Sequence, residues 1–144
     1  MLNLHVTKAF DQFQNGLKLL MAHEKSQAEK MVMNKKKILI VSTISQTIRS
    51  FLIPHIHFFE DKDYEVSIAT HDSELLIDNN LKKIKKYEIP FQRKVLHFKN
   101  FVALKNMKRI MQQGNFDLVY LHTPVASAIT RMALIFLKKR PRII

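Results

Sequence analysis

The sequence predicts an α/β protein: an open parallel sheet of about five strands flanked by helices and preceded by an N-terminal helix. Three observations carry this. Residues 116–121 are rich in β-formers, His122-Thr123-Pro124 forms a polar turn, and residues 125–139 are good helix formers. Pro124 falls where a first helical turn tolerates proline, since its missing N–H has no intrahelical partner there. Ile38-Leu39-Ile40-Val41 is a near-continuous apolar run, as in a parallel strand covered on both faces. Strand and helix patterns then alternate, in a chain of 144 residues that suffices for one domain's core.

Residues 2–32 read as one helix, with Val6, Phe10, Phe13, Leu17 and Leu20 recurring at steps of three and four. Three roles fit it: packing on the domain, an interfacial or partner-binding face, or an appendage outside the fold. Residues 37–43 form the first strand. Thr47 is a plausible N-cap for a helix whose stripe is Ile48, Phe51, Leu52, Ile56 and Phe59, kinked by Pro54. Residues 64–70 alternate as a second strand, and Ser73 can cap a helix over residues 74–86. Ile89-Pro90-Phe91 is the expected short third strand, edge-like because of its proline. Asn100 is expected to cap a helix over 101–113, with Val102, Leu104, Met107, Ile110 and Met111 inward and Gly114 as its C-cap. Strand 116–121 and helix 125–139 follow. Residues 141–144 begin a fifth strand, expected to fray because Pro141 removes a ladder donor.

Composition narrows the function classes. No apolar run reaches the length of a membrane span, and nothing resembles a signal peptide. Zero cysteines exclude disulfides and thiolate metal sites, and no histidine spacing supports a metal, so no metal or cofactor is expected. The net charge of +12 is uneven, since residues 89–144 hold eleven Lys/Arg against the single acid Asp117. A solvated surface is one reading and attraction to an anionic partner the other. Nucleic acid is not expected, because the cations are scattered and no recognition module appears. An anionic membrane is one such partner, each nearby cation contributing about 1 kcal/mol. The cations assigned to it are Lys105, Lys108, Arg109, Arg131, Lys138, Lys139, Arg140 and Arg142.

Three linked motifs carry a resemblance: Lys37-Ile-Leu-Ile-Val-Ser-Thr43, Phe51-Leu-Ile-Pro-His55, and His122-Thr-Pro-Val-Ala126 closing a later strand. In this order and spacing, residues 34–144 resemble the N-terminal, acceptor-side Rossmann-like domain of bacterial family-4-like glycosyltransferases of the GT-B type. Residues 1–33 are then a helical extension, since Met33-Asn-Lys-Lys-Lys37 looks like the natural start of a family member. The resemblance implies sugar transfer from a nucleotide-sugar donor in capsular, exopolysaccharide or other surface glycan synthesis. It also implies that the chain is truncated before the donor-binding domain, incomplete at its C-terminal end and inactive alone. A lipid-linked glycan acceptor and a separate donor-domain polypeptide are the expected partners. A non-catalytic, membrane-associated subunit of a split enzyme is the alternative. The expected location is cytoplasmic, with peripheral association at the inner face of the plasma membrane.

Candidate site residues lie where strands end. Ser42, Thr43, Ser45, Gln46 and Thr47 form the first loop, which lacks the glycines that admit phosphate in relatives; hydroxyl or amide recognition of an acceptor is the better fit. His122 and Thr123 occupy the corresponding later loop, near the acceptor cleft by resemblance. The plain reading of His122 is that it satisfies a buried backbone group. His71 is a weaker candidate, and His55 reads as a structural or cleft-wall residue. No residue is assigned a catalytic role.

Overall fold

The computed structural model describes residues 2–33, 35–75, 81–94 and 96–144. The chain divides into two compact units, Met1–Lys35 and Lys36–Ile144. The first contains a single helix, α1 (Leu2–Met33), on which Phe10, Phe13, Leu17, Leu19, Leu20 and Met21 are exposed.

The second unit is the expected Rossmann-like α/β domain. Five strands, β1 (Lys37–Ile44), β2 (Glu65–His71), β3 (Lys85–Glu88), β4 (Leu118–Leu121) and β5 (Arg142–Ile143), pair in parallel in the order β3-β2-β1-β4-β5. β1 is central, and its run of apolar side chains divides between the two faces by strand alternation. Leu39 and Val41 enter a core with α4 (Lys99–Gly114) and α5 (Pro124–Ile135). Ile38 and Ile40 enter a second core with Ile48, Leu52, Ile56 and Phe59. All four β1 side chains are fully buried, each worth about 1.5–3 kcal/mol of transfer free energy. At the other end of the sheet Asp117 aligns three strand starts. Its carboxylate accepts the Lys37 N–H at 2.8 Å, its own N–H donates to the Lys37 carbonyl at 2.9 Å, and its carbonyl accepts the Arg142 N–H at 2.9 Å.

Several local expectations are corrected. After β1 the chain turns directly into a short α-helix, α2 (Ser45–Thr47), then a π-helical turn Ile48–Leu52, then α3 (Ile53–Asp61). Thr47 is therefore inside the helical run, and Ile44 is the N-cap. The π turn lets Pro54 stand in the first turn of α3, where its missing N–H is harmless. The extra residue also rotates Phe51 out of the stripe, leaving it 70% exposed. The third strand is Lys85–Glu88, not Ile89–Phe91, because Pro90 cannot donate to the ladder. The helix expected over 74–86 cannot include Lys85 and Lys86, which are strand; Ser73–Leu75 is a 3₁₀ turn, and residues 76–80 lie outside the described residues. α4 starts at Lys99, so Asn100 is not its cap. Its buried face uses Ala103 in place of the exposed Val102. Asn115, not Gly114, takes the left-handed conformation that ends α4. α5 ends at Ile135, earlier than expected. The chain end is paired rather than frayed: the Ile144 N–H donates to Val119 at 3.0 Å, and its carbonyl accepts the Leu121 N–H at 2.9 Å. Pro141 sits before the ladder and removes nothing from it.

The two glycines predict opposite responses. A Cβ at Gly114 would lie 2.1–2.8 Å from the buried Phe116 ring. Gly114→Ala should therefore destabilise by about 1–3 kcal/mol of overpacking despite better helix propensity. A Cβ at Gly16 meets nothing within 4 Å, so Gly16→Ala should raise α1 helicity, with a gain of up to about 1 kcal/mol. Thermal melts and far-UV circular dichroism check both; an unchanged or raised melting temperature for Gly114→Ala would contradict the packing argument.

Candidate functional site

The sheet order changes direction between β1 and β4: β2 and β3 extend one way from β1, β4 and β5 the other. Ligands of open α/β sheets bind outside the carboxyl ends of the strands at such a point. Here that edge carries the loops after Ile44, His71, Glu88 and Leu121.

At the switch point Thr43 and Thr123 meet. The Thr123 hydroxyl accepts the Thr43 N–H at 3.0 Å, contacts the Thr43 hydroxyl, and donates to the carbonyl of His122. A hydroxyl has one donor and two acceptor sites. The Thr43 hydroxyl must therefore donate, and every site on Thr123 Oγ1 is used. The contact holds Thr123 at φ 72, a backbone region that β-branched residues rarely occupy. Pro124 then opens α5.

The other residues expected in the site fall into different environments. Ser42 is buried and donates to the Ile44 carbonyl at 3.2 Å, and Ser45 is buried as well. Gln46 is exposed and donates to the Ser50 hydroxyl at 3.0 Å; Thr47 is half-buried. His122 is half-buried, with its N–H bonded to Val41 at 2.8 Å. Its ring meets Tyr120 edge-on at 4.1 Å and His55 at 6.3 Å, while His55 Nδ1 lies 2.9 Å from the Tyr120 hydroxyl. The Nε2 atom of His122 is buried with no partner, so it does not satisfy a backbone group. Burial lowers the His122 pKa from 6.5, and the neighbouring His55 lowers it further. The neutral imidazole is thus held with one ring nitrogen unmet and enclosed by the protein.

The eight cations do not converge on this edge. Lys105, Lys108 and Arg109 lie on α4 and Arg131 on α5. Lys138, Lys139, Arg140 and Arg142 lie on the return to the start of β5, at the opposite end of the sheet.

Over the carboxyl ends of β1 and β2 opens a cavity of about 480 Å³, lined by Ile44, His71, Asp72, Phe91, Gln92, Arg93, Lys94 and His97. Most of these residues come from the loop after β3, whose position depends on a register the sequence does not display. One wall is fixed by Glu88. Its carboxylate accepts the Asp72 N–H at 3.1 Å, the Ser73 N–H at 2.7 Å and a contact from His71 Nδ1 at 3.0 Å. His71 Nε2 lies 3.2 Å from Asp72 Oδ1. Burial raises the Glu88 pKa, but the bonds from Ser73, Asp72 and His71 outweigh it and leave the value below 4.5. The loop itself is pinned by the buried Asn100, which accepts the Gln92 N–H and donates to the Lys94 carbonyl, both at 2.9 Å. No group of residues able to hold a metal occurs among the described residues.

Comparison with known proteins agrees with this arrangement. The family model described as glycosyl transferase 4-like matches residues 37–144. EpsD of Bacillus subtilis (strain 168), named as a glycosyltransferase, is 27% identical over 100 residues, covering 68% of this chain and 25% of that protein. The crystal structure of MurG from Acinetobacter baumannii superposes with a TM-score of 0.58 at 18% identity, over 75% of this chain and 34% of MurG. At that identity the likeness is one of fold. The chain thus spans about a quarter of EpsD and a third of MurG.

Two measurements follow. Thr123→Val should cost about 1–3 kcal/mol by leaving the Thr43 N–H unmet, whereas Thr123→Ser should stay near wild type; equal melting temperatures for both would refute the threonine account. NMR titration should place His122 below 6.5, and His55→Gln should move it upward. Because the folded value is lowered, the stability linked to His122 is present above pH 6.5 and is lost as pH falls through the folded pKa. The same sign holds for Glu88 below its ordinary value of 4.5. Glu88→Gln should flatten that acid limb of the stability profile.

Proposed function

The chain belongs to the glycosyl transferase 4-like family, and from that membership we propose that residues 37–144 are the acceptor-side half of a glycosyltransferase. The enzyme would move a sugar from a nucleotide-sugar donor to a lipid-linked acceptor in bacterial capsular, exopolysaccharide or other surface glycan synthesis. The observation that supports this reading is the open cavity over the carboxyl ends of β1 and β2, on the strand-end edge of a family-4-like domain. Transfer requires the acceptor oxygen and the donor's anomeric carbon aligned in one cleft. A donor-domain polypeptide is the proposed source of the second half. The 144 residues alone are expected to bind acceptor without turning over. An assay with nucleotide-sugars and lipid-linked acceptors tests this, and robust transfer by the chain alone would sink it.

A second reading, a membrane-associated non-catalytic subunit of a split glycosyltransferase, is favoured by the solvent faces of α4 and α5. Phe98, Phe101, Val102, Met132, Ile135 and Phe136 are at least half exposed there, among Lys105, Lys108, Arg109 and Arg131. The Lys108 ammonium lies 5.3 Å from the centre of the Phe136 ring. No described helix is long and apolar enough to cross a membrane, so association would be peripheral. Cations attract an anionic leaflet over about 8 Å at physiological ionic strength, and exposed rings add an attraction that salt does not screen. Co-sedimentation with anionic vesicles should be strong at low salt, weaker at high salt, and reduced at both by Phe101→Ser. Absence of binding at low salt refutes the membrane face.

A further inference from the structure

We propose that the cavity over the carboxyl ends of β1 and β2 binds a sugar carrying an acidic group, a carboxylate or a phosphate ester; this rests on the acceptor-side reading and names the chemistry of its ligand. The argument begins with charge. The adjacent Glu88 is held by two backbone N–H groups, and His71 lies between the two acids, Nδ1 3.0 Å from Glu88 and Nε2 3.2 Å from Asp72, bridging both when it is the imidazolium. Arg93 and Lys94, on the same rim, make no ion pair among the described residues. Two cations with no ion partner among the described residues therefore line the cavity on the side away from Glu88, whose carboxylate is turned to the backbone of Asp72 and Ser73. The guanidinium fork matches a carboxylate or phosphate with two parallel hydrogen bonds, and the ammonium adds a point charge.

The rest of the lining suits a sugar ring rather than a bare ion. Ile44 and the nearly fully buried Phe91 form an apolar floor for C–H faces, and Gln92 and His97 supply polar atoms at the rim. The volume of about 480 Å³ falls within the range of about 300–1,000 Å³ usual for small-molecule sites. Asn100 already holds the backbone of Gln92 and Lys94, so little ordering cost remains for binding. Glu88 performs a related service on the opposite wall. By occupying the N–H groups of Asp72 and Ser73, it closes the loop after β2 to an anion and leaves Arg93 and Lys94 as the place for one.

The test is an NMR shift titration of the ¹⁵N-labelled full chain at low salt with glucuronate, glucose 6-phosphate, glucose, inorganic phosphate and a uridine-diphosphate sugar. Glucuronate or glucose 6-phosphate should saturate shifts at Phe91, Gln92, Arg93, Lys94 and His97, and the tighter of the two identifies the acidic group. The double variant Arg93→Ala, Lys94→Ala, at two exposed positions, should weaken that binding about tenfold or more, as expected for loss of charge-assisted bonds. Unchanged affinity in the double variant overturns the proposal. Equal saturation by glucose overturns the acidic requirement, and inorganic phosphate binding as tightly as glucose 6-phosphate overturns the sugar. Shifts confined to Gln46, Thr47 and Thr123 overturn this cavity while leaving the acceptor-side reading in place. A nucleotide-sugar that saturates the cavity in preference to every simple sugar would overturn the acceptor-side reading itself.

Discussion

The binding edge depends on one hydroxyl. Thr123 Oγ1 joins the ends of β1 and β4, the strands on either side of the switch point, and does so with its full hydrogen-bonding capacity. The cost is backbone strain, since a residue at φ 72 with a branched Cβ forfeits on the order of 1–3 kcal/mol. The return is geometric. With Thr123 fixed, α5 starts immediately at Pro124, and the bond from the His122 N–H to Val41 aims the imidazole along the sheet edge toward Tyr120 and His55. A looser turn would let His122 swing to solvent and fill its Nε2 with water. The unmet nitrogen is therefore a consequence of the threonine contact.

How legible this was in the sequence differs from element to element, for physical reasons. β1 was plain because a strand buried on both faces must be apolar at every position, and Ile38 to Val41 obey that without help from neighbours. β3 was obscured. Lys85-Lys86-Tyr87-Glu88 is an edge strand with only partial burial, so its side chains carry no alternation strong enough to register. Ile89 and Phe91 are buried and looked more strand-like, yet they lie just past the ladder. Phe51 was misplaced because a π turn adds a residue that no 3.6-residue period anticipates.

The candidate site divides along the same line. Thr43 and Thr123 could be proposed because strand ends are found from strands, and both strands were visible. That their hydroxyls touch could not, since it depends on a backbone conformation threonine rarely takes. Arg93, Lys94 and His97 were hidden because their loop is positioned by the misjudged β3 register and by Asn100. Asparagine near a helix start signals a cap; here its amide reaches back to the loop instead, and Phe98 takes the cap position. The basic pair next to Phe91 was the one available signal, and in a chain of net charge +12 it did not stand out.

What remains free at the edge says how recognition is divided. Several backbone donors at the edge are committed: those of Asp72 and Ser73 to Glu88, that of Thr43 to Thr123, that of Gln92 to Asn100. The loop after β1 has no glycine that would admit a ligand to its backbone. On the acceptor-side reading proposed above, side chains such as Arg93, Lys94, His97 and Gln46 would carry recognition. Side chains can be exchanged without disturbing the hydrogen bonds that shape the loops, whereas a backbone cradle cannot. On that reading, substitution at the rim would change the ligand accepted, while Thr43, Thr123, Glu88 and Asn100 keep the edge in place.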